Sequence, residues 1–229
     1  MIRYLQLPFY YDVAQLQQEA GLVSGSWKKH FNERQYEGDW SGIALRSPGG
    51  VTGNLQAETL VTPLPFANTP LMTLCPYIAA VVDSFQCEVT AVRLLKLAQG
   101  AIVKEHTDLG LNYESGEARL HIPVVTHPDV EFVLDDHALH MESGTCWYIN
   151  ASLPHRLANP SPVHRVHLVI DCLVNDWLKD WFENADLPQK SIKDTRAAQQ
   201  ALKEKTIAAL KASGDPDRIR LAQELEQQP

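Results

Sequence analysis

The sequence has no uninterrupted apolar run that approaches the roughly 20 residues a membrane-spanning helix needs. Its first residues, Met-Ile-Arg-Tyr-Leu-Gln-Leu-Pro, also lack the apolar segment and small-residue cleavage site of a secretory signal. The four cysteines have neither the spacing of a disulfide framework nor that of a zinc site; they are Cys75, Cys87, Cys146 and Cys172. We therefore expect a cytoplasmic protein with no membrane partner, whose cysteines are reduced thiols.

Basic charge is also scarce, since 20 Lys and Arg residues stand against 28 Asp and Glu, for a formal net charge of -8. Binding to a nucleic-acid backbone requires clustered Lys and Arg, so no nucleic-acid partner is expected. The 229 residues are 45% hydrophobic and 21% charged, which is ordinary for a globular protein. This length is enough to bury a core, and we expect one domain with a helical appendage.

Short strand patterns separated by turns fill the region between residues 88 and 172. They predict strands at 89–97, 101–106, 118–125, 130–134, 145–149 and 164–172. Strands of this length and spacing are typical of a sandwich or jelly roll. The expected fold class is therefore mainly β.

Helical patterns precede and follow this region. Asp12 has the position of an N-cap for a helix that ends near Gly21, and the apolar spacing over residues 73–85 predicts a second helix. Pro76 is tolerable there only in the first turn. Two strands are expected between these helices, at 42–46 and 57–62.

After Cys172 the chain is expected to become helical. Trp177, Trp181 and Phe182 anchor one predicted helix, the alanine-rich stretch 194–212 forms another, and Gly214-Asp215-Pro216 precedes a short last one. Two readings of these amphipathic helices stay open, because they offer a surface for a homodimer and equally could cap the barrel.

The segment Val-Lys-Glu-His-Thr-Asp, residues 103–108, contains a histidine and a carboxylate two residues apart. If the segment is a strand, His106 and Asp108 share one face. His155, in Ala-Ser-Leu-Pro-His, could complete a set of two His and one carboxylate, which is how mononuclear non-haem Fe(II) is held. A His-x-Asp pair alone is a weak signal, and His127-Pro-Asp129 has the same spacing in a predicted loop.

Arg165 follows His155 by ten residues, in the strand-like run Arg-Val-His-Leu-Val-Ile-Asp. A guanidinium pairs bidentately with a carboxylate, so an Arg near such an iron site suggests an anionic cosubstrate such as 2-oxoglutarate. In isolation, a structural salt bridge to Asp or Glu is the simpler interpretation of this residue.

The stretch from His140 through His155 to Asp171 resembles the Fe(II)/2-oxoglutarate dioxygenases of the aspartyl/asparaginyl β-hydroxylase family, and within it the bacterial proline cis-4-hydroxylases. The similarity covers residues 90–172 well and is weaker before them. The family's β-hydroxylases proper lack the metal carboxylate, whereas Asp108 is in place here, which favours the amino-acid hydroxylase branch.

The resemblance implies a double-stranded β-helix (jelly roll, cupin-like) with flanking N- and C-terminal α-helices. It implies a dioxygenase domain over residues 1–175, with a jelly-roll core at about 88–172, and a C-terminal helical extension over 176–229. It further implies that His106, Asp108 and His155 are iron ligands and catalytic residues, and that Arg165 anchors 2-oxoglutarate. Arg119 and His121 match a family strand whose Arg and His face the carboxylate of the cosubstrate or substrate. The alternative without a functional role is that Arg119 is a solvated strand residue and His121 a core histidine.

The activity implied is hydroxylation of an unactivated C-H bond with Fe(II), 2-oxoglutarate and O2, with succinate and CO2 as coproducts and ascorbate in a supporting role. A free amino acid such as proline, or an Asp or Asn side chain of a peptide or protein, is the implied substrate. Arg93, Arg119, His140 and Arg156 are candidates to meet its polar groups. Two alternatives stay open, a non-catalytic cupin-like binding module and a metal-dependent isomerase on the same architecture.

Overall fold

The computed structural model describes residues 1–56, 64–108, 110–186 and 190–192, together with Ile207, Ala208, Lys211, Gln223 and Glu226. Two units are distinguished, Ile2–Ser191 and a second one of Met1 with Ile192–Pro229. The strand expected at 57–62 and the turn at 214–216 lie outside the described residues. So does most of the helix expected at 194–212, of which Ile207, Ala208 and Lys211 are helical. The expected domain boundary at 175 and the homodimer surface stay predictions.

The larger unit is built mainly from strands. In chain order they are β1 (Ile2–Tyr10), β2 (Lys28–Lys29), β3 (Tyr36–Glu37), β4 (Trp40–Pro48), β5 (Phe66–Asn68), β6 (Val89–Leu97), β7 (Ile102–His106), β8 (Glu117–Val125), β9 (Glu131–Leu134), β10 (His137–Ala138), β11 (Thr145–Ile149), β12 (His155–Ala158) and β13 (Arg165–Leu173), with β14 (Lys190–Ile192) at its boundary. The helices are α1 (Val13–Leu22), α2 (Pro76–Asp83) and α3 (Asp176–Glu183). Short 3-10 turns cover Ser24–Ser26, Glu33–Gln35, Pro70–Leu74 and Tyr113–Ser115. None of the described helices is long and apolar enough to cross a membrane.

The strands form two antiparallel sheets. The larger sheet runs β1-β11-β8-β13-β6-β4-β2, with β5 paired to β4, and the smaller sheet runs β10-β9-β12-β7-β3. Neighbouring strands are often far apart in sequence, as in the pairing of β12 with both β7 and β9. This is the double-stranded β-helix that the resemblance implies.

The strand β13, in the middle of the larger sheet, is buried on both faces from Arg165 to Cys172, and alternation along it separates two kinds of side chain. On β13, Val166, Leu168, Ile170 and Cys172 belong to the hydrophobic core, which also contains Leu16 of α1, Ile78 of α2 and Leu178 and Phe182 of α3. The intervening residues of β13 point to the opposite face; they are Arg165, His167, Val169 and Asp171. The helices therefore cover an apolar face, while polar groups are collected on the other.

The predicted strands of the central region are present, with bounds that differ by at most one residue. β1 and β12 were not predicted, and β1 shows why sequence patterns missed it. Pro8 interrupts the alternation of Leu5 and Leu7, and the pairing with β11 shifts register between Leu7 and Tyr10. A proline is accommodated at such an irregularity because it removes one ladder donor.

The predicted N-cap of the first helix is confirmed, whereas the second helix, expected from residue 73, begins at Pro76 after the 3-10 turn Pro70–Leu74. The Asp12 carboxylate accepts hydrogen bonds from the backbone N-H groups of Ala14 and Gln15, as an N-cap does. Pro76 occupies the first turn of α2. The Tyr77 and Ile78 N-H groups that follow donate to the two oxygens of buried Glu19, at 2.7 and 2.8 Å. Glu19 of α1 thus caps α2 from a distance in the sequence.

We predict that Glu19→Ala lowers the free energy of unfolding by about 2 kcal/mol, because two helix N-H groups lose their acceptor in a buried position. Glu19→Gln keeps one accepting oxygen and should lose less. Gln18→Ala, on the exposed side of the same helix, is the matched control. Denaturant unfolding measures the three variants, and equal stability of Glu19→Ala and Gln18→Ala would contradict the capping role.

Candidate active site

His106, Asp108 and His155 converge at one point between the ends of two neighbouring strands. His106 is the last residue of β7 and His155 the first of β12, and the two are paired in the sheet register. Their ring centroids are 4.2 Å apart, and His106 Nε2 lies 3.8 Å from Asp108 Oδ1. Each of the three residues offers one possible ligand atom, and these three atoms all lie within 4.8 Å of one another.

Asp108 reaches this point differently from the way the sequence suggested. β7 ends at His106, so the carboxylate does not share a strand face with the imidazole. Instead the chain turns after the strand, and the Asp108 N-H donates to the Ala151 carbonyl at 2.8 Å. Asp108 therefore lies close to His106 and His155 as predicted, but a hydrogen bond to the loop before His155, and not a shared strand face, places it there.

Each histidine of the group is oriented by a backbone carbonyl. His106 Nδ1 lies 2.8 Å from the Lys104 oxygen, and His155 Nδ1 lies 2.9 Å from the Leu153 oxygen. Because a carbonyl only accepts, each Nδ1 must donate, which leaves the Nε2 lone pair of each ring free. Burial, reinforced by His106, lowers the pKa of His155 to about 4, so this ring is neutral near pH 7.

A chain of ion pairs begins at Asp108. Its Oδ2 accepts a hydrogen bond from Arg119, whose other nitrogens donate to both oxygens of Asp171 at 2.8 and 3.1 Å. Asp171 also pairs with Arg93. Although burial opposes ionisation of Asp108, the charge of Arg119 keeps the pKa of this carboxyl below its usual value.

The contacts of Arg119 bear on its expected role at a cosubstrate. Its Nε, Nη1 and Nη2 atoms are all engaged by Asp108 and Asp171. The alternative expectation, that Arg119 is a solvated strand residue, is wrong, because its side chain is 11% exposed. A direct contact of Arg119 or His121 with a cosubstrate stays a prediction, whereas the contact of Arg119 with Asp108 is present.

Arg165 has a different environment. It is 2% exposed, its Nε has no hydrogen-bond partner, and no carboxylate of the described residues lies within ion-pair distance. Its Nη2 contacts His167 Nδ1 at 2.9 Å. Burial lowers the pKa of Arg165 to about 9, still above neutral pH. The salt-bridge interpretation is therefore wrong for the described structure, and a buried cation is left without a counter-charge.

A cavity of about 420 Å³ is lined by the three converging residues and by Arg165 and His121. His30 and Trp40, stacked with ring centroids 3.6 Å apart, form an aromatic side of it. Burial, followed by the charge of Arg93, lowers the pKa of His30 to about 4. Sequence reasoning assigned no role to His30, and no motif marks it.

The remaining candidates for contacts with the substrate differ in whether they line the cavity. Arg93, from the middle of β6, lines the cavity. His140 is exposed and Arg156 is exposed and paired with Glu105, and neither lines the cavity. His127 and Asp129 lie in the loop between β8 and β9, as expected.

The donor set suits Fe(II), because two imidazoles and one carboxylate gathered at one side leave positions for other ligands. The guanidinium of Arg165 in the same cavity has no carboxylate partner among the described residues, and this suits an anion. The residues present therefore fit both an iron ion and an acidic cosubstrate.

We predict that Arg119→Met weakens Mn(II) binding about tenfold or more, because Asp108 loses the partner that orients it. Calorimetric titration of the metal, without any organic ligand, measures this effect. Arg156→Met removes an exposed Arg and serves as the control. Unchanged metal affinity together with weakened 2-oxoglutarate affinity would instead support a direct cosubstrate contact of Arg119.

Comparison with known proteins is consistent with this geometry. The model of the aspartyl/asparaginyl beta-hydroxylase family matches residues 12–174. An L-proline cis-4-hydroxylase of Rhizobium meliloti (strain 1021) is 29% identical over 155 residues, which are 66% of this chain and 54% of the relative. The chain thus spans about half the length of this curated relative.

Two solved structures align with about three quarters of this chain. A 2OG-Fe(II) oxygenase family oxidoreductase of Burkholderia pseudomallei is 13% identical, with a TM-score of 0.49 and coverage of 74% of this chain and 85% of its own. A Pseudomonas putida prolyl-4-hydroxylase is 10% identical, with a TM-score of 0.48 and coverage of 76% and 94%. The assignment depends on the family model, whose match includes the three converging residues and Arg165. Because that match spans more than half of the sequence, the chain belongs to the aspartyl/asparaginyl beta-hydroxylase family.

Proposed function

We propose that the protein is an Fe(II)/2-oxoglutarate-dependent hydroxylase that acts on an unactivated C-H bond of a free, proline-like amino acid. The observation that supports this most is the uncompensated charge of Arg165 in the cavity that also contains the His-Asp-His group. A metal site alone would suit many reactions. A metal site beside a buried cation without a counter-charge suits a cosubstrate that carries a carboxylate away from its chelating end.

In this proposal His106, Asp108 and His155 hold Fe(II), and Arg165 binds the distal carboxylate of 2-oxoglutarate. When bound, iron with 2-oxoglutarate and O2 supplies the oxidation, in which one oxygen atom enters the substrate and the other enters succinate as CO2 is released. The protein supplies positioning and electrostatics. The Arg119 contact leaves Asp108 Oδ1, the oxygen nearer His106 Nε2, available to a metal.

The dimensions of the cavity favour a small substrate over a peptide. Its volume of about 420 Å³, as lined by the described residues, is near the lower end of the roughly 300–1,000 Å³ of ligand pockets. The histidines at the proposed metal site are nearly buried, with His155 7% exposed. His30 and Trp40 add an apolar wall that limits water near the reacting carbon.

The curated relative named L-proline cis-4-hydroxylase supports a free amino acid as substrate, although about half of that protein is matched. A cytoplasmic location belongs to the same proposal and is supported by the four cysteines, which are free thiols. The alternative of an Asp or Asn side chain in a peptide would need more open access to the metal. The other alternative, a non-catalytic binding module, would bind its ligands without converting them.

We predict that anaerobically purified protein given Fe(II), ascorbate, 2-oxoglutarate and O2 forms succinate, and that one member of an amino-acid panel led by L-proline stimulates it. Mass spectrometry should find that amino acid with one added oxygen. Slow succinate formation without stimulation would redirect the search to peptides. Absence of succinate with retained metal and 2-oxoglutarate binding would support the binding module instead.

His106→Ala and Asp108→Ala are the matched variants for this assay. Both should abolish succinate formation and weaken iron binding, because each removes one of three ligands. His137→Ala changes an exposed histidine outside the cavity and should behave as wild type. Full activity of either ligand variant would contradict the proposed site.

We predict that Arg165→Ala chiefly raises the 2-oxoglutarate concentration required for half-maximal turnover, because the distal carboxylate loses a charged partner. Removal of a hydrogen-bonded charge pair costs about 2–5 kcal/mol, so the expected increase is thirtyfold or more, in order of magnitude. Arg156→Ala is the control. An unchanged requirement in Arg165→Ala would show that the cosubstrate anchor lies elsewhere.

A further inference from the structure

The side chain that holds Arg165 is a histidine, at a position where a carboxylate would ordinarily be expected. His167 is two residues further along β13, on the same face, and is 2% exposed. Its Nδ1 lies 2.9 Å from Arg165 Nη2 and 3.4 Å from His121 Nδ1. His167 does not line the cavity and is not among the three converging residues.

The tautomer of His167 follows from its partner. A guanidinium has donors only, so His167 Nδ1 must accept with its lone pair, and the ring proton is on Nε2. Burial, followed by the charge of Arg165, lowers the pKa of His167 well below its usual value. The ring is therefore a neutral acceptor, which orients the guanidinium without cancelling its charge.

The same strand contains the opposite arrangement, which serves as an internal comparison. Asp171 is four residues beyond His167 on the same face, and it pairs with both Arg93 and Arg119. There a carboxylate neutralises buried cations. Beside Arg165 the acceptor is neutral, so this face of β13 has a carboxylate that neutralises arginines of β6 and β8 near one end, and at the other an arginine with no carboxylate partner among the described residues.

We propose that His167 is a positioning residue that fixes Arg165 while leaving its charge for a ligand, and thereby makes the site select a cosubstrate with a second carboxylate. This inference rests on the proposed function, because it takes 2-oxoglutarate as the ligand of Arg165. The necessary property is hydrogen-bond acceptance without negative charge. Imidazole has this property, and so does the side-chain oxygen of asparagine.

Three substitutions separate acceptance from charge. His167→Asn keeps a neutral acceptor near the Nδ1 position, His167→Leu removes the acceptor, and His167→Asp keeps an acceptor but adds a negative charge. Each is loaded with Mn(II) and titrated calorimetrically with 2-oxoglutarate and, separately, with oxalate. Oxalate has two adjacent carboxylates that chelate a metal and no distal carboxylate to reach Arg165.

The expected result is a loss of 2-oxoglutarate affinity of about tenfold in His167→Leu and at least as much in His167→Asp, with oxalate affinity unchanged. His167→Asn should stay within about threefold of wild type for both ligands. The readout is the ratio of the two dissociation constants. A merely structural role for His167 would weaken both ligands together and leave this ratio constant.

Two outcomes would overturn the inference, and they differ from failure of the proposed function. Wild-type affinity for 2-oxoglutarate in both His167→Leu and His167→Asp would show that neither acceptance nor neutrality matters. Parallel loss of both ligands, accompanied by a lower melting temperature, would assign His167 to the fold. If the wild-type protein itself did not prefer 2-oxoglutarate to oxalate, the proposed cosubstrate, and not His167 alone, would be wrong.

Discussion

The burial of β13 on both faces is the constraint on which the rest of the structure depends. A strand at the centre of a sheet, covered on one side by helices, must place apolar residues there; alternation then sends the intervening residues to the other side. In β13 those intervening residues include Arg165, His167 and Asp171, all of which are nearly inaccessible to solvent. Ionised groups removed from water need partners, so this face imposes a pattern of pairing on its neighbours.

The pairing is complete at one end of the strand and incomplete at the other. Asp171 is matched by Arg93 and Arg119, and Arg119 continues to Asp108. Among the residues that the structure describes, the partner of Arg165 is the neutral ring of His167. A buried cation without a counter-charge is costly to the folded protein, and the cosubstrate proposed above would supply the missing charge. The electrostatic imbalance therefore supports that proposal more specifically than the proposed metal ligands do alone.

Sequence patterns predicted the parts of this arrangement that are local. The strand patterns of the sequence predicted β6, β7, β8, β9, β11 and β13, and His106, Asp108, His155 and Arg165 were singled out by residue type and family resemblance. The partners of Arg119 and Arg93 did not follow, because Asp171 is 52 and 78 residues away from them and the register of the sheet alone brings them together. β12 was missed for a similar reason, since its four residues lie between turns and only pairing with β7 and β9 defines them as a strand.

The two halves of the proposed site lie on different sheets. The histidines belong to β7 and β12 of the smaller sheet, whereas Arg165 and His167 belong to β13 of the larger one. A cosubstrate that contacts the metal and Arg165 together would need these sheets at a fixed separation. The Asp108–Arg119 ion pair joins them directly, because Asp108 follows β7 and Arg119 belongs to β8. In the proposed site, Arg119 would therefore act on both halves, because it orients one proposed metal ligand and fixes the spacing between that residue and the proposed anion site.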